Sequence, residues 1–184
     1  MERDKDKTLI RRTEEGDLRA FTELVNKYER PVATIVKSML GNCSEAEDVG
    51  QEVFINFYKS ISKFRYEAGI KTYLIRIAIN LSLNELKKRK RTNSRFISYQ
   101  DINKEIPNEG QDSFELKEIV ELAIKKLDIK MKTVVLLRLI EGYSTKETAT
   151  ILNIPEGTVL SRLARAQEIL RKILKGKIDD YEKK

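Results

Sequence analysis

The sequence predicts an all-α protein: two small helical domains joined by a flexible acidic linker, the second of them a helix-turn-helix domain. Three observations carry this. Apolar residues recur three and four positions apart over most of the chain, and no stretch alternates with period two for long. Only 3 Pro and 8 Gly interrupt the 184 residues. One stretch, residues 92–112 (TNSRFISYQDINKEIPNEGQD), is polar and turn-rich, carries Pro107 and Gly110, and separates two blocks of helical periodicity. The expected boundaries are residues 1–95 for the first domain, 96–112 for the linker and 113–184 for the second domain.

In the first domain, Leu18, Phe21, Leu24, Val25 and Tyr28 mark one helical face, which Val32, Ile35, Val36, Met39 and Leu40 continue after Pro31. A third helix follows in SEAEDVGQEVFINFYKSI, where Ser44 and Glu47 have capping-box spacing and Ala46, Val49, Val53 and Phe57 share a face. A fourth helix, TYLIRIAINLSLNELKKRKR, is expected over 72–91, with Leu74, Ile77, Ala78 and Leu81 inside.

In the second domain, Leu116, Ile119, Val120, Ala123, Ile124 and Leu127 predict an amphipathic helix. The nearly all-apolar TVVLLRLI that follows should be buried. The strongest local signal is YSTKETATILNIPEGTVLSRLARA. Ser144 can cap a helix while Glu147 reaches back three residues later. Ala149 is small where a second helix would cross, Asn153 suits the left-handed turn, and Val159 points back to the core. Small, turn and apolar residues at this spacing are a helix-turn-helix signature.

In the last helix Val159, Leu163, Ala166, Leu170 and Ile173 share one face, while Thr158, Ser161, Arg162 and Arg165 gather on the other near the helix start. A recognition helix enters the major groove at that end. Hydroxyls there bond phosphates or base edges, and an Arg binds guanine bidentately or a phosphate. Leu160, at the edge of the apolar face, suits packing or a thymine methyl.

Lys and Arg total 36 against 29 Asp and Glu, a net charge of +7 that favours a polyanionic partner without naming it. The single Cys43 excludes an internal disulfide, and the absence of His removes the commonest metal ligand and the usual neutral-pH general base. No cofactor and no metal are expected. No apolar run is long enough to span a bilayer, and the start, MERDKDKTLIRR, is charged where a secretory signal is apolar, so a cytoplasmic protein without membrane insertion is expected.

Two further faces suggest partners. On the fourth helix Tyr73, Arg76, Asn80, Asn84 and Lys87 lie together outside, and an aromatic beside Arg, amides and a basic run suits single-stranded DNA. On the third, Asp48, Gln51 and Glu52 surround Ile55, an acidic and amide patch with an apolar centre suited to a partner's helix.

Taken together, SEAEDVGQEVFINFY, KTYLIRIAINLSLNELKKRKR, a linker and EGYSTKETATILNIPEGTVLSRLARAQEILRKIL resemble an extracytoplasmic-function sigma factor of bacterial RNA polymerase, over residues 18–174. The resemblance implies two helical domains, regions two and four, that recruit core polymerase to promoter DNA. It implies that Asp48, Gln51, Glu52 and Ile55 dock on the beta-prime clamp helices, and that the beta flap meets the second domain. Tyr73 stands where the family usually has Trp; with Arg76, Asn80, Asn84 and Lys87 it would engage and help melt the minus-ten element. The loop 62–71 (SKFRYEAGIK) corresponds to one that captures a flipped-out base, with Phe64 and Tyr66 as stacking residues. Glu156, Thr158, Ser161, Arg162 and Arg165 fall in the helix that reads the minus-thirty-five element. Asn84, Leu160 and Asn153 replace an Asp, a basic residue and a Gly common in the family. The linker, with six acids against two bases over 101–118, would thread the basic channel of the polymerase. An anti-sigma protein is an implied partner.

Two other classes are open to the residues. A stand-alone helix-turn-helix regulator would bind duplex tightly without polymerase and give Tyr73 and Asp48 no role. A metal-dependent nuclease would use Glu45, Glu47, Asp48 and Glu52 as ligands.

Overall fold

A computed structural model describes residues 2–66, 68–93, 120, 123, 124 and 126–181. The chain divides into two compact units, Met1–Ser98 and Tyr99–Lys184. Among the described residues there is no strand. The expected linker lies outside the described residues.

Unit 1 holds α1 (Glu2–Glu14), α2 (Leu18–Leu40), α3 (Ser44–Ser60), a 3₁₀ turn (Ile61–Lys63) and α4 (Ile70–Asn93). Helix α1 is one the sequence pattern did not reveal, because among its described side chains so charged a segment buries only one apolar residue, Ile10, 1% exposed. What ties it down is polar. The buried Asp6 accepts hydrogen bonds from Lys27 Nζ and Tyr28 Oη, both at 2.7 Å. The bond to Asp6 raises the Lys27 pKa, and burial, reinforced by the Asp6 carboxylate, pushes the Tyr28 phenol up to about 12.

Helix α2 begins at Asp17, whose carboxylate accepts from Arg19 N at 2.9 Å and Ala20 N at 3.2 Å. Those backbone donors, Ala20 first, and the Arg12 guanidinium at 2.7 Å hold the Asp17 pKa below its usual value. The helix continues through Pro31, where one intrahelical donor is missing and burial of Tyr28, Val32, Ile35 and Val36 around it holds the turn. It stops at Gly41, whose φ of 86° only Gly adopts cheaply.

Helix α3 corrects the capping reading. Its N-cap is Cys43, extended at φ −144°, and Ser44 is the first helical residue, so the Ser44 hydroxyl meets the Glu45 carboxylate at 3.4 Å instead of a backbone amide. Glu45 and Glu47 still place negative charge at the helix's positive end.

The core joins Leu24, Val32 and Ile35 of α2, Val53 and Phe57 of α3, and Leu74, Ile75, Ala78 and Ile79 of α4, all at most 1% exposed. Each such aliphatic or aromatic burial contributes about 1.5–3 kcal/mol. On α4 the buried arc is Leu74, Ile75, Ala78, Ile79 and Ser82, whereas the expected Ile77 and Leu81 are only half-buried. At 100° per residue the inner face is turned by about 80° from the expected one. The cause is tertiary: α2 and α3 both pack on α4, and their joint position sets the centre of burial.

In unit 2, Ala123 is buried and Ile124 half-buried on helical backbone, while Val120, expected on the same apolar face, is 42% exposed. Leu116 and Ile119 lie outside the described residues. Asp128 caps α5 (Ile129–Val135), accepting from Lys130 N at 2.8 Å and Met131 N at 3.0 Å. A π-helical turn (Leu136–Ile140) continues it, and α6 (Thr145–Leu152) and α7 (Glu156–Tyr181) follow.

Two small clusters make this core. Leu127, Val135 and Ala166 gather Leu163 and Leu170, and Val134, Ala149 and Val159 gather Leu152 and Leu163. The apolar run TVVLLRLI is buried from Thr133 to Leu137, but Leu139 and Ile140 are 51% and 58% exposed. They lie in the last turn before Gly142, where the chain reverses at φ 71° and no described element covers it.

Candidate nucleic-acid interface

The helix-turn-helix of unit 2 is built by local bonds. Ser144 Oγ accepts from Glu147 N at 3.1 Å while Glu147 Oε2 accepts from Ser144 N at 2.8 Å, a complete capping box that fixes the start of α6. Asn153 ends α6 in the left-handed region at φ 52°, ψ 51°. The chain leaves through Ile154, whose N–H donates to Ala149 O at 3.1 Å, and α7 starts at Glu156. Ala149 and Val159 are both buried at the crossing.

Helix α7 therefore turns Glu156, Ser161 and Arg165 fully outward, with Thr158 and Arg162 half-buried beside them. The Ser161 hydroxyl donates to Thr158 O at 3.1 Å, within the helix's own first turns. Leu160 is 54% exposed and stands at the edge of the apolar face, outside the unit's core. The sequence reading missed Lys146 and Thr150. Both are exposed on α6, four residues apart, and line a shallow depression with Asn153, Pro155 and Glu156 at the start of α7. The same wheel arithmetic applied to α6 would have found them.

On α4 the outer strip survives the rotation of the inner face. Asn80, Asn84 and Lys87 are exposed, Tyr73 and Arg76 half-buried, and all five lie opposite the buried arc. Four neighbours brace Tyr73. Its hydroxyl lies 3.2 Å from Ser60 Oγ, its ring meets Phe57 and Phe64 edge-on at 6.1 and 5.1 Å, and the Arg76 guanidinium sits 5.8 Å from its centroid.

The loop after the 3₁₀ turn yields one correction. Phe64, expected as a base-stacking ring, is 7% exposed and packed among Phe57, Tyr66 and Tyr73, so its apolar surface is already used. Tyr66 is 41% exposed, stands edge-on to Phe64 at 4.9 Å and has φ 57°, an uncommon backbone for a bulky residue.

On α3, Asp48, Gln51 and Glu52 are exposed on one face, and Ile55 at their centre is 51% exposed. The apolar part is larger than the sequence indicated. Tyr58 packs on Phe21 of α2 at 4.9 Å, and Leu18, one turn before Phe21, is 64% exposed. Glu45 and Glu85 are drawn to Arg89, which also donates to Leu40 O and Cys43 Sγ at 3.1 Å, pinning the α2–α3 turn to α4. Among the described residues no group of three or more Cys, Asp or Glu side chains could hold a metal ion. No helix among them is long and apolar enough to cross a membrane.

Comparison with known proteins finds the same two blocks. The Sigma-70 region 2 family matches residues 24–92, and Sigma-70, region 4 matches residues 117–169. The ECF RNA polymerase sigma factor SigW of Bacillus subtilis is 35% identical over 92% of this chain and 96% of its own length. The RNA polymerase sigma-H factor of Pseudomonas aeruginosa is 34% identical over 93% and 94%. In fold, the sigma factor RpoE of Bartonella quintana, solved with the anti-sigma factor NepR, superposes with a TM-score of 0.69 at 21% identity, over 84% of this chain and 96% of that one.

Proposed function

The chain belongs to the extracytoplasmic-function sigma factors of bacterial RNA polymerase, and we propose that it brings two separate promoter readers to one enzyme. As a member of that family it acts in transcription initiation and catalyses nothing itself; the phosphodiester chemistry is the polymerase's.

On this reading α7 enters the major groove of the minus-thirty-five element, with Thr158, Ser161, Arg162 and Arg165 toward bases and phosphates and Glu156 at the groove's edge. Lys146 sits beside that entry, on the side where the first helix of such a motif crosses the backbone. The α4 strip engages the minus-ten element. Tyr73 gives a stacking surface, Arg76 and Lys87 neutralise phosphates, Asn80 and Asn84 bond base edges, and Tyr66 receives a base that has left the stack. Asp48, Gln51, Glu52 and Ile55 dock on the beta-prime clamp helices, and the second unit meets the beta flap. The acidic linker threads the polymerase channel, and an anti-sigma protein holds the factor inactive. The site of action is the cytoplasm, where polymerase and promoter DNA are.

The observation that carries the reading is the α4 strip: an exposed line of aromatic, amide and basic side chains whose aromatic member is braced from behind. A stand-alone duplex binder has no use for it. Weak contacts at the two readers add because one polymerase holds both, which raises the effective concentration of the second once the first is engaged.

Purified core polymerase plus the full chain, assayed for run-off transcripts on a fragmented genomic library, tests this. Promoter-specific transcripts are expected only when both components are present. Absence of core binding and of specific transcripts, with tight duplex binding by the chain alone, would establish the stand-alone regulator instead.

A further inference from the structure

Among the described residues of α7, one large apolar side chain stays outside the core: Leu160 is 54% exposed, whereas Val159 is buried and Leu163 half-buried. A lone exposed leucine is ordinary on a protein surface. What sets this one apart is where it stands.

The first observation is shape. At 100° per residue Gly157, Leu160 and Ala164 fall within about 60° of one another, on the border between the packing face and the outward face of Ser161 and Arg165. All three are exposed. Glycine and alanine add almost no bulk, and no atom lies within 4 Å of where a Cβ on Gly157 would stand. Leu160 therefore projects from the helix with open space toward Gly157 and Ala164.

The second observation is charge. Arg162 and Arg165, on the polar side of that strip, form no ion pair among the described residues. One turn later the pattern changes, and Glu168 takes Lys172 at 2.9 Å. Unneutralised positive charge thus surrounds Leu160 and gives way to paired charge beyond it, which suits a polyanion at the start of α7 and not a partner's apolar helix.

The third is the chemistry of the groove. Donors and acceptors line the major groove of duplex DNA, and its apolar feature is the C5-methyl group of thymine. A projecting aliphatic side chain among hydroxyls and guanidinium groups has that one partner there.

We propose that Leu160 is a specificity-determining residue, which covers the C5-methyl group of a thymine in the major groove. This rests on the minus-thirty-five reading above and adds to it one residue and one base. The polar side chains of α7 read hydrogen-bonding edges, and Leu160 reads a methyl.

The test uses the complex of the full chain with core polymerase and duplex fragments carrying the upstream element of a promoter recovered by run-off selection. Each thymine of either strand is replaced in turn by uracil, which removes the methyl group and leaves the pairing edge unchanged. At one thymine the replacement should weaken binding about fourfold, the scale of burying one methyl group. Leu160→Ala, at an exposed position, should bind the thymine and uracil duplexes within about twofold of each other, whereas Leu160→Met, of similar volume, should keep the wild-type preference. The proposal is overturned if uracil is without effect at every position, or if its effect is undiminished in Leu160→Ala. It is overturned too if Leu160→Ala weakens binding of core polymerase while uracil stays silent, which would make Leu160 a protein contact. If the wild-type complex shows no sequence-specific binding of the duplex, the minus-thirty-five reading fails, and this inference with it.

Discussion

The two faces that meet DNA on this reading are built in opposite ways. On α4 the key side chain is fixed before any ligand arrives: Tyr73 is hydrogen-bonded to Ser60 and wedged against Phe57 and Phe64, with the Arg76 guanidinium 5.8 Å from its ring centroid. On α7 the side chains of Ser161 and Arg165 stand outward from a helix whose own position is fixed by a capping box and a left-handed Asn. The difference follows from the substrates. A single strand has no shape of its own, so its reader must supply a rigid surface on which bases stack. A duplex brings a preformed groove, so its reader has only to place a helix and let side chains adjust.

The largest effect should come from separating docking from reading. Asp48→Arg reverses a charge of the α3 patch and should weaken core polymerase binding on the order of 100-fold, measured by co-purification and competition, while duplex binding by α7 stays within about twofold. Loss of both, or of neither, would collapse the distinction between the units.

Next is the rigid reader. Tyr73→Ala removes one stacking platform and should cost about 1–3 kcal/mol in binding of the opened strand by the polymerase complex, with Tyr73→Phe much milder. A cost equal in the two variants would make the Ser60 hydrogen bond, and not stacking, the source of the effect.

For the adaptable reader, Arg162→Ala and Arg165→Ala separate base reading from phosphate binding. An Arg that binds guanine should lose about 1–3 kcal/mol and relax specificity at one position. An Arg on phosphate should weaken all sequences alike and lower the salt slope by about one.

The smallest effects lie in the scaffold of α6 and α7. Asn153→Val forces a β-branched residue into the left-handed region and should cost about 1–2 kcal/mol, whereas Asn153→Gly should not destabilise. Ser144→Ala should cost about 1 kcal/mol by opening the capping box. Hydrogen exchange of the full chain at residues 145–166 reads both.

What could be read from the residues follows the same division. The α6 cap, the Asn153 turn and the outward face of α7 were legible because each depends on residues within one or two turns of one another. The outer strip of α4 was also legible, yet its inner face was displaced, because Ile75, Ile79 and Ser82 are buried by α2 and α3, which the helix's own periodicity does not encode. Helix α1 was missed for the same reason in stronger form: the bonds from Lys27 and Tyr28 to Asp6 link residues more than twenty positions apart. Phe64 looked like a free ring because an exposed-looking loop sequence conceals an aromatic cluster assembled from α3 and α4. Ser44 was assigned a cap one residue too late, since Cys43 carries the extended backbone without a side-chain bond to announce it.

The central claim is that two readers act together on one polymerase, and promoter spacing tests it most directly. In a promoter recovered by run-off selection, about five base pairs, half a helical turn, are inserted between the two recognised elements, and transcription and duplex binding are measured side by side. The two-reader account predicts loss of specific transcripts with duplex binding to the upstream element unchanged. Transcription that tolerates the insertion would contradict it.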